Sequence, residues 1–193
     1  MSGDTSNSNA TDNSSSKASS HSSSKASSTA TSIAARLIPL LSASEIDAIE
    51  HECAHLPDRE SAAIDALRIV QGERGWVSDE SVRGIAQLLG MSTEAVDAIA
   101  TFYSLIHRRP VGRHVVRYCD SVSCYVMGYE AVRDALCATL GIAPGQTTAD
   151  GRYTLLPTVC LGACDRAPAL NIDRDLVFDV TPEGVAGVLA RYE

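Results

Sequence analysis

The stretch Arg117-Tyr-Cys-Asp-Ser-Val-Ser-Cys-Tyr-Val-Met-Gly-Tyr129 decides how this chain is read. His114-Val-Val-Arg-Tyr118, which runs into it, is β-branched and aromatic, the pattern of a strand. The strand ends on Cys119, and Cys124 follows with four residues between, opening toward a helical pattern from Gly128 to Leu140. In that helix Val132, Leu136 and Leu140 share one side, and Gly141 stops it. Gly151–Cys160 reads as a second strand, closed by Cys160, with Cys164 in the loop beyond. Ala169–Ile172 and Leu176–Val180 read as two short strands turning at Asp173-Arg174. Thr181 caps a last helix with Pro182 at its first position, where a missing N–H costs nothing. The order β-α-β-β-β-α with one hairpin predicts a thioredoxin-like sheet with helices packed on it.

Working backward from His114, the period changes at Pro110-Val-Gly112. From Leu37 to about His107 the pattern is helical. Ser42-Ala-Ser-Glu45 is a capping box ahead of Ile46, Ile49 and Cys53. A second helix is expected from Arg59 to Gln71, ended by Gly72 and Gly75. A third is capped by Ser78 and stopped by Gly90, and a fourth is capped by Ser92, with Val96, Ile99 and Tyr103 on one face. Phe102 and Tyr103 are read as core residues or as contacts for a partner, and Trp76 as a core residue. The expected fold class is α+β: a helical bundle at 33–110, then a thioredoxin-like α/β domain at 111–193. Residues 1–32 are almost wholly small and polar, with SSSKASS occurring twice, and read as a disordered Ser-rich tail.

The net charge is −8, and the tail contributes none of it, because Asp4 and Asp12 balance Lys17 and Lys25. An acidic folded part argues against nucleic-acid binding. There is no apolar signal run, no Arg-rich leader and no membrane-spanning stretch, so a cytoplasmic protein is expected, with any membrane association made through a partner. Six cysteines in such a chain are expected to be thiols or metal ligands, not a disulfide framework.

Four of them form two pairs, Cys119/Cys124 and Cys160/Cys164, with 35 residues between the pairs. Parallel neighbouring strands would bring both loops to one edge. Thiolates at such loops suit a two-iron cluster, where backbone N–H groups also reach the sulfurs. Small residues line the loops, and Gly162 would let the backbone come close. Spacing also admits a four-cysteine zinc site or a redox dithiol. Cys53 and Cys137 lie on helices among apolar neighbours and read as structural. Asp120 and Asp165 adjoin the ligand candidates, either lowering the potential or bonding their own loop backbone. No G-x-G-x-x-G and no P-loop is present, so the chain is not expected to bind a nicotinamide nucleotide itself.

The Arg117–Tyr129 run resembles the first cluster loop of the E-subunit family of bacterial NADH-quinone oxidoreductase, respiratory complex I. Pro144–Pro157, Cys160-Leu-Gly-Ala-Cys-Asp165, Ala100-Thr-Phe-Tyr-Ser104 and Gln71-Gly-Glu-Arg-Gly-Trp-Val77 extend the likeness over about residues 40–193. The resemblance implies a thioredoxin-like 2Fe-2S ferredoxin domain with Cys119, Cys124, Cys160 and Cys164 as cluster ligands. It implies one 2Fe-2S cluster on this chain, with FMN and NADH bound by a partner. The partners implied are the flavoprotein (F) and iron-sulfur (G) subunits of the NADH dehydrogenase module, on the cytoplasmic face of the membrane. The role implied is single-electron exchange with that FMN, as part of an enzyme and not an enzyme alone. Two other readings stay open: the small diaphorase component of an NAD-reducing hydrogenase or formate dehydrogenase, and a zinc-stabilised binding module without redox activity.

Overall fold

A computed structural model of the protein describes residues 40–192. The Ser-rich tail and the start of the expected bundle therefore lie outside the described residues.

Among the described residues the first half is built from four α-helices, three of them started by serine. In α1 (Ala43–Cys53), the Ser42 hydroxyl accepts from the Glu45 N–H while the Glu45 carboxylate accepts from the Ser42 N–H, completing the capping box. Two orphan donors of the first turn are satisfied this way. A short 3-10 turn, Glu60–Ala62, leads into α2 (Ala63–Arg74), which passes through Gly72 and ends at Gly75. The expected stop at Gly72 is thus wrong: one glycine weakens a helix by about 1 kcal/mol, and packing of Leu67 and Val70 outweighs it. Ser78 and Ser92 cap α3 (Asp79–Leu89) and α4 (Thr93–Phe102) as expected. Ile49, Leu67, Val70, Val77, Ile85 and Val96 form the sealed centre of this half. Its polar tie is the wholly buried Glu45 carboxylate, clasped by the Arg74 guanidinium at 2.5 Å. Burial pushes that carboxyl up, and Arg74 and the Ser42 N–H outweigh it, holding it below the ordinary glutamate value.

One aromatic expectation fails here, and an open one narrows. Trp76 is only half-buried, and its neighbour Val77 takes the core position instead. The helix stops at Phe102, which is 80% exposed, and Tyr103 sits at the cap, 41% exposed, so neither is a core residue.

The second half is a four-stranded sheet in the order β2-β1-β3-β4. Strand β1 (His114–Cys119) pairs in parallel with β2 (Tyr153–Thr158). Antiparallel to β1 runs β3 (Leu170–Ile172), and antiparallel to β3 runs β4 (Asp175–Val177). Residues alternate between faces along a strand. Val116, Tyr118, Leu155, Leu170 and Ile172 pack one face against Val132 and Leu136 and against Val185, Val188 and Leu189. Those come from α6 (Tyr129–Leu140) and α7 (Val185–Leu189), the latter entered from a 3-10 turn capped by Thr181. A helix not foreseen, α5 (Val122–Val126), lies between β1 and α6 and carries Cys124. Its only signal was Ser121, which has N-cap backbone geometry but makes no side-chain bond.

Gly112, at the expected boundary, has a steric reason to be glycine. An added Cβ would stand 2.9 Å from the Arg152 carbonyl carbon, and the Gly112 N–H already reaches the Thr154 hydroxyl at 2.6 Å.

Candidate metal centre

Because β1 and β2 are parallel, both strands finish at the same edge of the sheet. Cys119 is the last residue of β1, paired with Thr158, the last of β2. Cys160 therefore lies two residues beyond the strand and not at its end, in the loop with Cys164. The Asp120 N–H donates to the Thr158 carbonyl and the Cys119 N–H to the Ala169 carbonyl, at 3.1 and 3.2 Å, so the two loops are stitched together at their roots. The Ala167–Pro168 peptide that follows is cis.

The four cysteines arrive as two unlike pairs. Cys119 and Cys124 are 3% exposed each and pack with Ala163, Ala167 and Ala169. The Cys124 thiol is pushed up to about 11, foremost by burial; the Ala169 backbone pulls the other way, and the hydrogen-bonded Cys119 thiol adds to the rise. Cys160 and Cys164 are exposed, with their sulfurs 3.4 Å apart. Cys164 also lies near enough to Cys124 to act on its thiol through space. The Gly162 N–H points back at the Cys160 sulfur, 3.4 Å away. Gly162 takes φ +79, and nothing stands within 4 Å of a Cβ placed there. Its glycine character serves the left-handed turn that aims this N–H, and the open space beside it leaves room for the close approach expected from sequence.

Among the described residues, no three His, Cys, Asp or Glu side chains gather about one point as the ligands of a single metal ion would. A tetrahedral zinc needs four ligands about one centre. A two-iron cluster needs two pairs, one for each iron, and two pairs at one edge are what the chain presents. A tetrahedral metal with bonds of about 2.3 Å to sulfur holds two thiolates roughly 3.8 Å apart. The 3.4 Å Cys160–Cys164 separation lies within a few tenths of an ångström of that. The donor set fits a 2Fe-2S cluster, with hydrogen-bond donors such as the Gly162 N–H already facing sulfur.

Cys53 and Cys137 are half-buried on α1 and α6, against the core of their own half, and neither packs with the four. Asp120 and Asp165 are both exposed beside the centre. Sequence reasoning missed the apolar collar. Val122, Tyr125, Val126, Met127 and Val159 are 59–75% exposed around the two loops. The three consecutive residues Tyr125-Val-Met127, directly after a ligand candidate, were the signal for it.

A thioredoxin-like sheet with paired cysteines at the carboxyl ends of its parallel strands defines the class as a thioredoxin-fold iron–sulfur protein. Residues 49–193 match the thioredoxin-like 2Fe-2S ferredoxin family. The chain is 54% identical over 153 residues to the E subunit of NADH-quinone oxidoreductase from Escherichia coli K12, covering 79% of this chain and 92% of that protein. With the E subunit from Pseudomonas aeruginosa it shares 53% over the same coverage. The protein therefore belongs to the thioredoxin-like 2Fe-2S ferredoxin family, in the branch of the NADH-quinone oxidoreductase E subunits. A solved NAD-reducing nickel–iron hydrogenase carries a related module, at TM-score 0.58 and 25% identity. That likeness covers 67% of this chain and 22% of the hydrogenase chain. Among the described residues no helix is long and apolar enough to cross a membrane.

Proposed function

We propose that this chain is the electron-transfer subunit of the NADH-oxidising module of an NADH-quinone oxidoreductase. Cys119 and Cys124 would hold one iron of a 2Fe-2S cluster, and Cys160 and Cys164 the other. When bound, the cluster takes up and returns one electron at a time. The observation that carries the reading is the pairing of a buried dithiol with an exposed one at a single sheet edge. The buried pair fixes the inner iron against the alanine-lined floor. The exposed pair sets the outer iron at the surface, where an electron can pass to or from another chain.

The partner is the FMN-bearing flavoprotein (F) subunit, with the iron-sulfur (G) subunit in the same module. NADH and FMN belong to that partner. The exposed Val122, Tyr125, Val126, Met127 and Val159 support this, since an apolar patch beside a redox centre marks a protein contact. On this reading the protein reaches the cytoplasmic face of the membrane only through the complex. The division into a bundle at 33–110 and a cluster domain at 111–193 is supported by two separate cores. The related module in the NAD-reducing hydrogenase is consistent with an architecture shared among NAD-linked redox enzymes.

Anaerobic purification tests the reading. The expected product is red-brown, with two irons and two acid-labile sulfides per chain, and it oxidises NADH only when the flavoprotein is added. A colourless chain holding one zinc and no sulfide overturns it.

A further inference from the structure

Among the described residues, Arg117 is a buried cation with no carboxylate bonded to it. It sits in the middle of β1 and is 6% exposed. Strand alternation turns it away from the face where Val116 and Tyr118 pack against α6 and α7. Its two amino groups meet neutral partners. One donates to the Asn171 side-chain oxygen Oδ1 at 2.8 Å, and the other faces the His107 Nε2 at 2.9 Å. Its Nε is buried and has no hydrogen-bond partner among the described residues. Burial pulls the guanidinium below its ordinary value, with Asp173 pulling it back up from a distance. A guanidinium nonetheless stays charged in proteins. Burial, and then the Arg117 charge itself, bring His107 down to about 4, so at neutral pH it is an uncharged acceptor.

Burying a charge without a counter-charge is costly, and structures seldom tolerate it without return. The other arginines near the two loops are compensated: Arg166 pairs with Asp179, and Arg133 with Asp134. Arg117 is two residues from Cys119, so the two side chains leave the strand on the same face, with α-carbons about 7 Å apart. Both are shielded from water, so salt screens their interaction little. Four thiolates and two sulfides outweigh the charge on two irons, and one added electron makes that anion more negative still.

We propose that Arg117 is a positioning charge for the metal centre: clamped by His107 and Asn171, it supplies the missing counter-charge, favours the reduced state at Cys119 and raises the reduction potential. The inference rests on the four-cysteine cluster reading above. It also gives the helical half a part in the redox chemistry, because His107 closes that half. Its N–H donates to the Gln71 side-chain oxygen, and its carbonyl accepts from the Val77 N–H.

The test is a reductive titration of the full chain with its cluster, followed by the paramagnetic signal of the reduced form. Arg117→Gln is expected to lower the reduced-to-oxidised ratio at fixed potential about tenfold, a fall of about 59 mV for one electron. Arg117→Lys, which keeps the charge, is expected to stay near the parent. Asn171→Asp is isosteric and places a carboxylate on the guanidinium, so it is expected to shift the midpoint the same way while leaving Arg117 in place. That variant decides the matter if Arg117→Gln folds poorly. The proposal is overturned if Asn171→Asp holds two irons and titrates with the parent. It is also overturned if Arg117→Gln does so, or if Arg117→Lys falls as far as Arg117→Gln. A parent chain without iron and sulfide would sink the cluster reading instead, so the two failures are distinguishable.

Discussion

On the proposed reading, the two cysteine loops of this protein would do the same chemical job from opposite environments. Cys119 and Cys124 leave a central strand and a short helix and are sealed beneath alanines. Cys160 and Cys164 sit in an exposed loop shaped by one left-handed glycine. A sheet edge would thus present a redox centre by two means at once. One pair belongs to the core and is held by packing. The other belongs to the surface and is held by local backbone geometry. The apolar collar around them is what a partner would cover.

Removing a ligand from either loop is expected to have the largest effect, on the cluster itself. Cys124→Ser and Cys164→Ser are each expected to lose nearly all bound iron and sulfide, because each removes one of the two protein thiolates that would hold one iron. Cys53→Ala, in the other core, is expected to retain both. Iron and sulfide analysis of the three variants checks this. Equal retention in all three would mean the ligand set is wrong.

The buried loop grows from β1, which is tied to the helical half through Arg117 and His107. His107 is depressed to about 4 in the fold, against an ordinary value of 6.5. Between those values the unfolded chain binds more protons than the folded one, so stability rises with pH across this window and is lost as pH falls through it. The expected loss is about 3 kcal/mol between pH 7 and pH 4. Urea unfolding of the cluster-free chain across that range measures it, and His107→Gln should flatten the profile. Glu45, held low by Arg74, adds a further loss only below the ordinary glutamate range.

Thiol labelling separates the loops directly. With its thiol raised to about 11 from 9.0, Cys124 should carry about a hundredfold less thiolate than an ordinary cysteine at neutral pH. In the cluster-free chain Cys160 and Cys164, both exposed, are expected to react with iodoacetamide well ahead of the buried Cys124. Mass spectrometry of timed samples would show this. Comparable rates would mean that the floor under the buried pair opens.

The smallest effect is expected in the exposed loop. Gly162→Ala places a side chain at φ +79, where there is room but the backbone is strained. A loss of about 1 kcal/mol in stability is expected, with the cluster retained. Chemical unfolding and iron analysis of the variant read both quantities. A loss of the cluster would mean that Gly162 gives space at the metal and not only a turn.

Much of the fold was legible in short-range patterns. Ser42, Ser78 and Ser92 announced three helix starts because a hydroxyl satisfies first-turn N–H groups wherever the chain goes next. Gly90 and Gly141 announced two stops for an equally local reason. The two cysteine pairs and the strand preceding Cys119 were visible for the same cause. Trp76 was misread, and Phe102 and Tyr103 were left undecided, because burial depends on which neighbours arrive, and no local pattern records that. The helix carrying Cys124 was missed because a five-residue helix has too few turns to show a period.

The amino-acid sequence alone was enough to set the class of this protein: helices ahead of a small sheet, and four cysteines in two pairs. Residue types and their spacing suffice for that, since caps, periods and thiol ligands are local properties. That one pair is buried and the other exposed emerged only once the chain was folded. Folding also brought His107 from the helical half and Asn171 from β3 onto Arg117, across 10 and 54 residues of sequence. Burial and long-range contact come from packing, and packing is settled by the whole chain at once.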